Sequence, residues 1–106
     1  MVKTKSEIKN IIKEYKIVLK NSGIEAEKIL LYGSYASGKA NIWSDIDLVI
    51  VSKSFGKRNT IDRMEFLSKK AAEVDDSLEV LGYTSDEFRK AKNSIFANIL
   101  SESLSF

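Results

Sequence analysis

Two stretches decide the fold: Ile29-Leu30-Leu31-Tyr32-Gly33-Ser34 and Ser44-Asp45-Ile46-Asp47-Leu48-Val49-Ile50-Val51. Each carries a short apolar run, the second rich in β-branched residues, and each reads as a buried strand. The first run ends at a glycine. The second opens on two carboxylates two positions apart. Period two aims Asp45 and Asp47 at one face of the sheet while Ile46 and Leu48 turn into the core. Between the strands, residues 34–44 are rich in Ser, Gly and Ala with one Trp, and read as a loop with room for a single helical turn.

Toward the N-terminus, Thr4-Lys5-Ser6-Glu7 has capping-box spacing, and Ile8, Ile11, Ile12, Tyr15 and Leu19 follow at helical period. Lysines 5, 9, 13, 16 and 20 cover the opposite side, and Asn21-Ser22-Gly23 stops the helix. Beyond the second strand, Ser52 to Asn59 makes a turn with Gly56 at its centre. Thr60 then caps a helix with Ile61, Met64, Leu67, Ala71 and Val74 on one face. Leu78 to Leu81 form a third strand, broken by Gly82. Thr84-Ser85-Asp86-Glu87 is a second capping box, ahead of a helix facing inward with Phe88, Ala91, Ile95, Phe96 and Ile99. Ser101 to Phe106 are expected to fray. The order is α-β-β-α-β-α: an α/β (α+β) domain over residues 1–106, with a small mixed sheet of three or more strands flanked by helices.

Composition removes several chemistries. With neither cysteine nor histidine among 106 residues, there is no disulfide framework, no zinc site and no Ser-His-Asp or Cys-His machinery. A metal here would be held by oxygens, which suits Mg²⁺ or Mn²⁺. No run approaches the roughly 20 apolar residues of a membrane span, and no export signal is visible, so the expected location is the cytoplasm. Net charge is +2, but residues 1–20 hold six lysines against Glu7 and Glu14. A basic first helix could touch nucleic acid or an acidic protein; the commoner meaning is a solvated helix face, and direct nucleic-acid binding is not expected.

Three features carry chemistry. Glycine at the end of the first strand lets a phosphate approach the backbone, Ser34 offers a hydroxyl, and the N–H groups of residues 34–36 open a helical turn where anions bind. Asp45 and Asp47 share a face and are close enough to hold divalent ions. Glu79 lies between Leu78 and Val80 in the third strand. Taken singly, each has an ordinary meaning: Gly-Ser pairs end many strands, and both Asp-x-Asp and Glu79 could be solvated edge charge. Together they are more specific, because paired acids raise each other's pKa unless a cation intervenes.

The spacing of Tyr32-Gly33-Ser34, ten residues, Asp45-Ile46-Asp47-Leu48, and a later Leu78-Glu79-Val80 resembles the nucleotidyltransferase superfamily related to DNA polymerase beta. It is most similar to the minimal nucleotidyltransferase (MNT) group of bacteria and archaea. The resemblance implies the nucleotidyltransferase fold. It also implies a nucleotide held at Gly33, Ser34 and Ser44, and a catalytic metal site of Asp45, Asp47 and Glu79 for Mg²⁺ or Mn²⁺. The implied reaction moves AMP from ATP to a hydroxyl. In the MNT group the acceptor is commonly a tyrosine of a HEPN toxin, which makes the enzyme an antitoxin. The other reading is a module that neutralises its partner by contact alone. Assembly as a homo- or hetero-oligomer is left open. Ser37 stands where many relatives carry an arginine, which bears on nucleotide affinity. Gly33-x4-Gly38-Lys39 imitates a P-loop, but Ala40 replaces the Ser/Thr that would ligate Mg²⁺. Tyr35, Trp43 and Phe55 are candidates to stack on adenine or to face a partner, or else to pack in the core or loops.

Overall fold

In the computed structural model, which describes residues 2–55, 59–92 and 104–106, helix α1 spans Lys5–Asn21 and starts as its sequence requires. The Thr4 hydroxyl accepts the Glu7 N–H and the Glu7 carboxylate accepts the Thr4 N–H, each at 3.1 Å, closing the capping box. Ile8, Ile12, Tyr15 and Leu19 are buried, with Ile11 packed beside them. The helix ends in a Schellman motif. Gly23, at φ +89°, donates to the Lys20 carbonyl, and Ile24 donates to that of Leu19 at 2.8 Å. Ile24 is itself buried, so the stop also adds to the core.

Strands β1 (Lys28–Tyr32) and β2 (Ile46–Val51) pair antiparallel, and β2 pairs parallel with β3 (Leu78–Tyr83). A two-residue strand β4 (Leu104–Ser105) pairs antiparallel with β1, so the sheet order is β3-β2-β1-β4. The expected fraying of the last residues is corrected at this point, since the edge of β1 offers backbone partners that only the folded sheet supplies. Residues 101–103 lie outside the described set.

The two faces of the sheet are covered differently. Ile29, Leu31, Ile46, Leu48, Ile50, Leu78 and Val80 pack under α1 and α3 (Thr60–Ala72). Leu30, Val49 and Val51 meet Phe88 of α4 (Ser85–Lys92) on the opposite face. The Tyr15 hydroxyl donates to the Leu67 carbonyl at 2.9 Å and ties α1 to α3.

Helix α3 departs from its expected phase. Asn59, not Thr60, is the N-cap, its side chain accepting the Asp62 N–H at 2.8 Å. The buried face is Arg63, Leu67 and Ala71; Ile61 is 72% exposed, and Met64 and Val74 are only partly covered. Arg63 turns inward because it has acceptors there. Its guanidinium donates to the Gly82 carbonyl at 3.1 Å and to Glu87 Oε1 at 2.5 Å, and lies 5.0 Å from the Phe55 ring centroid. Glu87 also closes the second capping box with Thr84.

Strand β3 runs through Gly82 rather than breaking at it. A Cβ on Gly82 would stand 2.5 Å from Leu67 Cδ1, so the missing side chain is what lets α3 lie close to the sheet. Phe55, at the end of a 3₁₀ turn (Lys53–Phe55), is a core residue. That settles its role as packing. Gly56, Ile95, Phe96 and Ile99, and the side chain of Ala91, lie outside the described residues.

Candidate active site

Tyr32, Asp47 and Glu79 form one row across three strands. Tyr32 is the antiparallel partner of Asp47, and Glu79 is its parallel partner. All three belong to the face that α4 covers only farther along, where Phe88 packs on Leu30, Val49 and Val51. Glu79 and Asp45 are exposed, and Asp47 and Tyr32 are half-buried. Asp45 stands just ahead of β2 on the strand phase of Asp47. The alternation expected from Asp45-Ile46-Asp47-Leu48 is present, with Ile46 and Leu48 fully buried on the other side.

The electrostatics follow from this row. Partial loss of water, then the charge of Glu79, then that of Asp45 push the Asp47 carboxyl above its ordinary value. Burial first, then Asp47, Tyr83 and Glu79, push the Tyr32 phenol up to about 12. The acids thus act on one another through space. They are not drawn into a cage: among the described residues, no three acidic side chains are gathered within reach of one metal ion. Asp45 lies outside the strand ladder, which leaves its carboxylate in solvent. The donor set nevertheless fits a hard divalent cation, being all carboxylate oxygen, and the strain of like charge on Asp47 is the kind a cation relieves.

Gly33 is fitted to this corner more tightly than its sequence context reveals. It holds φ +73° and ψ −153°, a region closed to side-chain-bearing residues, and a Cβ there would sit 2.3 Å from Asp47 Oδ2. The glycine therefore serves the carboxylate as well as any ligand. Helix α2 (Ser34–Ser37) is the single turn the loop had room for. Ala36 and Ser37 both donate to the Gly33 carbonyl at 3.1 Å, so the anion-binding expectation for residues 34–36 rests on Ser34 and Tyr35. The Ser37 hydroxyl donates to the Ser34 carbonyl at 3.3 Å. Tyr35 packs against the core, and its hydroxyl accepts the Lys3 N–H at 3.3 Å.

The loop before Asp45 holds what sequence reading passed over. Asn41 and Ser44 clasp each other: the Asn41 N–H donates to Ser44 Oγ at 2.8 Å, and the Ser44 N–H donates to the Asn41 carbonyl at 3.1 Å. Asn41 Oδ1 accepts the Trp43 N–H at 2.9 Å. Ser44, expected at the nucleotide, is also part of a clasp that holds the entry to Asp45. The signal was legible as an Asn-x-x-Ser turn.

A nucleotidyltransferase-domain family model matches residues 6–100. The chain belongs to that family. Its candidate active site is the row Tyr32, Asp47 and Glu79, with Gly33 set against Asp47. A candidate protein adenylyltransferase (MJ1379) from Methanocaldococcus jannaschii is 38% identical over 66 residues, 62% of each chain. The alignment thus spans less than two thirds of that relative. The crystal structure of a candidate nucleotidyltransferase from Sulfolobus solfataricus superposes with a TM-score of 0.59 at 23% identity, over all of this chain and 90% of that one. A toxin–antitoxin crystallised with AMP-PNP superposes at a TM-score of 0.50 and 27% identity, over 69% of this chain and 55% of that one. The small mixed sheet with flanking helices is the nucleotidyltransferase fold. Among the described residues, no helix is long and apolar enough to cross a membrane.

Proposed function

We propose that the protein is a cytoplasmic, divalent-metal-dependent nucleotidyltransferase that moves AMP from ATP to a hydroxyl of a partner protein. The favoured acceptor is a tyrosine of a HEPN toxin, for which the chain would act as antitoxin. The observation that carries the reading is Asp47, seated between Gly33 and Glu79 in a corner where a side chain on Gly33 would collide with it. Family membership, a relative named for protein adenylylation, and a fold neighbour named as a toxin–antitoxin with an ATP analogue support it.

In this reading Gly33 and Ser34 admit the triphosphate to the backbone, and Ser44 keeps Asp45 at the mouth of the corner. Asp45, Asp47 and Glu79 would hold Mg²⁺ or Mn²⁺. A divalent cation there would supply positive charge to the reacting phosphoryl group and lower the pKa of the attacking hydroxyl. Glu79, the exposed carboxylate of the row, accepts the hydroxyl proton. The acceptor oxygen bonds to the α-phosphorus, the α–β bridging P–O bond breaks, and pyrophosphate leaves with the electron pair. Histidine is not needed at any point.

Incubation with a HEPN toxin and ATP labelled at either phosphate tests the proposal. Label from α-³²P-ATP should reach the toxin, label from γ-³²P-ATP should not, and EDTA should abolish the transfer. Transfer from the γ position would make the protein a kinase. Label from neither, with the toxin silenced by a tight complex, would leave an antitoxin acting by contact alone.

A further inference from the structure

Immediately before the catalytic strand, the Asn41–Ser44 turn holds two large apolar side chains out in water. Trp43, the sole tryptophan, is 83% exposed, and its neighbour Ile42 is 57% exposed. Of the other exposed large hydrophobics among the described residues, Val2 and Phe106 line a cavity beside α1, while Ile17 and Ile61 stand singly, as such residues do on any surface. An adjacent pair differs. The turn is not slack, because three hydrogen bonds through Asn41 and Ser44 fix its backbone. The backbone of Trp43 is thus fixed, and its position is tied to that of Asp45, two residues on.

We propose that Ile42 and Trp43 are the docking element for the polypeptide that brings the acceptor hydroxyl, entering an apolar recess beside that hydroxyl. The proposal rests on the nucleotidyl-transfer reading of the adjoining corner. Transfer requires the acceptor oxygen to be placed against the α-phosphorus, and most of the gain from such placement comes from external contacts that hold orientation. A rigid plug two residues from Asp45 supplies a contact of that kind. The pair fits a polypeptide better than a base. Stacking on adenine would use one ring face and leave Ile42 without a role, whereas a protein recess takes both side chains, and tryptophan is among the residues that dominate protein interfaces. Both are positioning residues. Neither touches the reacting atoms.

The test uses the full parent chain with 5-fluorotryptophan at Trp43, with a HEPN toxin and Mg·ATP added as separate probes. The toxin should shift the single ¹⁹F resonance and remove its sensitivity to H₂O/D₂O exchange, and Mg·ATP alone should do neither. In the parent chain, Trp43→Ala and Ile42→Ser should each weaken toxin binding by about tenfold or more. The melting shift with Mg·ATP should be unchanged, and Trp43→Phe should restore most of the binding. Shielding of the ring by Mg·ATP alone would make Trp43 an adenine platform and overturn the proposal. So would unchanged toxin binding by Trp43→Ala, or no toxin binding by the parent chain. Trp43-dependent binding with no α-label on the toxin would leave the docking element standing and remove the transfer reaction. Label transfer undiminished in Trp43→Ala would do the reverse.

Discussion

On one face of the sheet, Ile46, Leu48 and Ile50 of β2 lie fully buried beneath α1 and α3. On the other, Val49 and Val51 are sealed by Phe88, while Asp47 on the same strand stays half-buried beside exposed Glu79. One six-residue strand therefore serves two purposes by alternation alone. The closed face holds apolar side chains with no polar atom to satisfy. In the open corner, partial loss of water and the neighbouring like charges raise the proton affinity of Asp47, a cost borne by the packing on the reverse side. The chemistry is anchored because the residues on either side of Asp47 in sequence are among the most deeply buried in the molecule.

If the two faces divide labour in this way, substitutions on them should separate activity from stability. The largest effect belongs to Asp47→Asn. It should lower α-label transfer by at least the order of 10²–10³-fold that loss of a charge-organising group costs. The melting temperature should hold or rise slightly as repulsion is relieved. Loss of activity only through unfolding would break the division. On the reverse side of the strand, Leu48→Ala should cost about 2–5 kcal/mol of stability, read from urea or thermal unfolding. Its activity should survive wherever the variant remains folded.

Gly33 lies where the two purposes meet. Gly33→Ala should cost about 1–3 kcal/mol for its backbone strain alone. In an Asp47→Ala background the collision with Oδ2 is gone, so the cost should fall toward that strain. A double-mutant cycle in melting measures the difference, and full additivity would show that glycine and carboxylate are independent.

The smallest effects are in pH dependence, and they carry opposite signs. The Asp47 carboxyl is raised in the fold above its unfolded value of 3.8. The folded state therefore binds more protons, and stability is lost as pH rises from near that value through the folded pKa. Asp47→Asn should remove this decline, so that the variant gains on the parent toward neutrality. The Glu87 carboxyl is held below its ordinary 4.5, first by the Thr84 N–H and also by Arg63. Its contribution is present above the unfolded pKa and is lost as pH falls through the folded one. Glu87→Gln should be destabilised at neutral pH and approach the parent in acid. Melting temperatures across the acid range test both signs at once.

How far the molecule can be read from its sequence depends on the range of the interaction involved. The bounds of β2, the phase of Asp45 and Asp47, both capping boxes and the buried stripe of α1 follow from neighbours a few residues apart, and the chain states them directly. The inward face of α3 does not. Ile61 and Met64 have the right chemistry for a core, yet Arg63 takes the buried position because Gly82, Glu87 and Phe55 offer it acceptors and a ring. Those partners come from other elements. Strand β4 forms only because β1 has an edge to pair with. The candidate site divides along the same line. Period two by itself sets Asp45 and Asp47 on a common face, but the register between β2 and β3 is what puts Glu79 beside Asp47. The parallel crossover through α3 settles that register, as the apolar residues of both strands seek the same core. That Gly33 must lack a side chain for the sake of a carboxylate fourteen positions away was decided by the antiparallel pairing of β1 with β2. Alternation is a property of one strand, and the meeting of three strands is a property of the packed sheet.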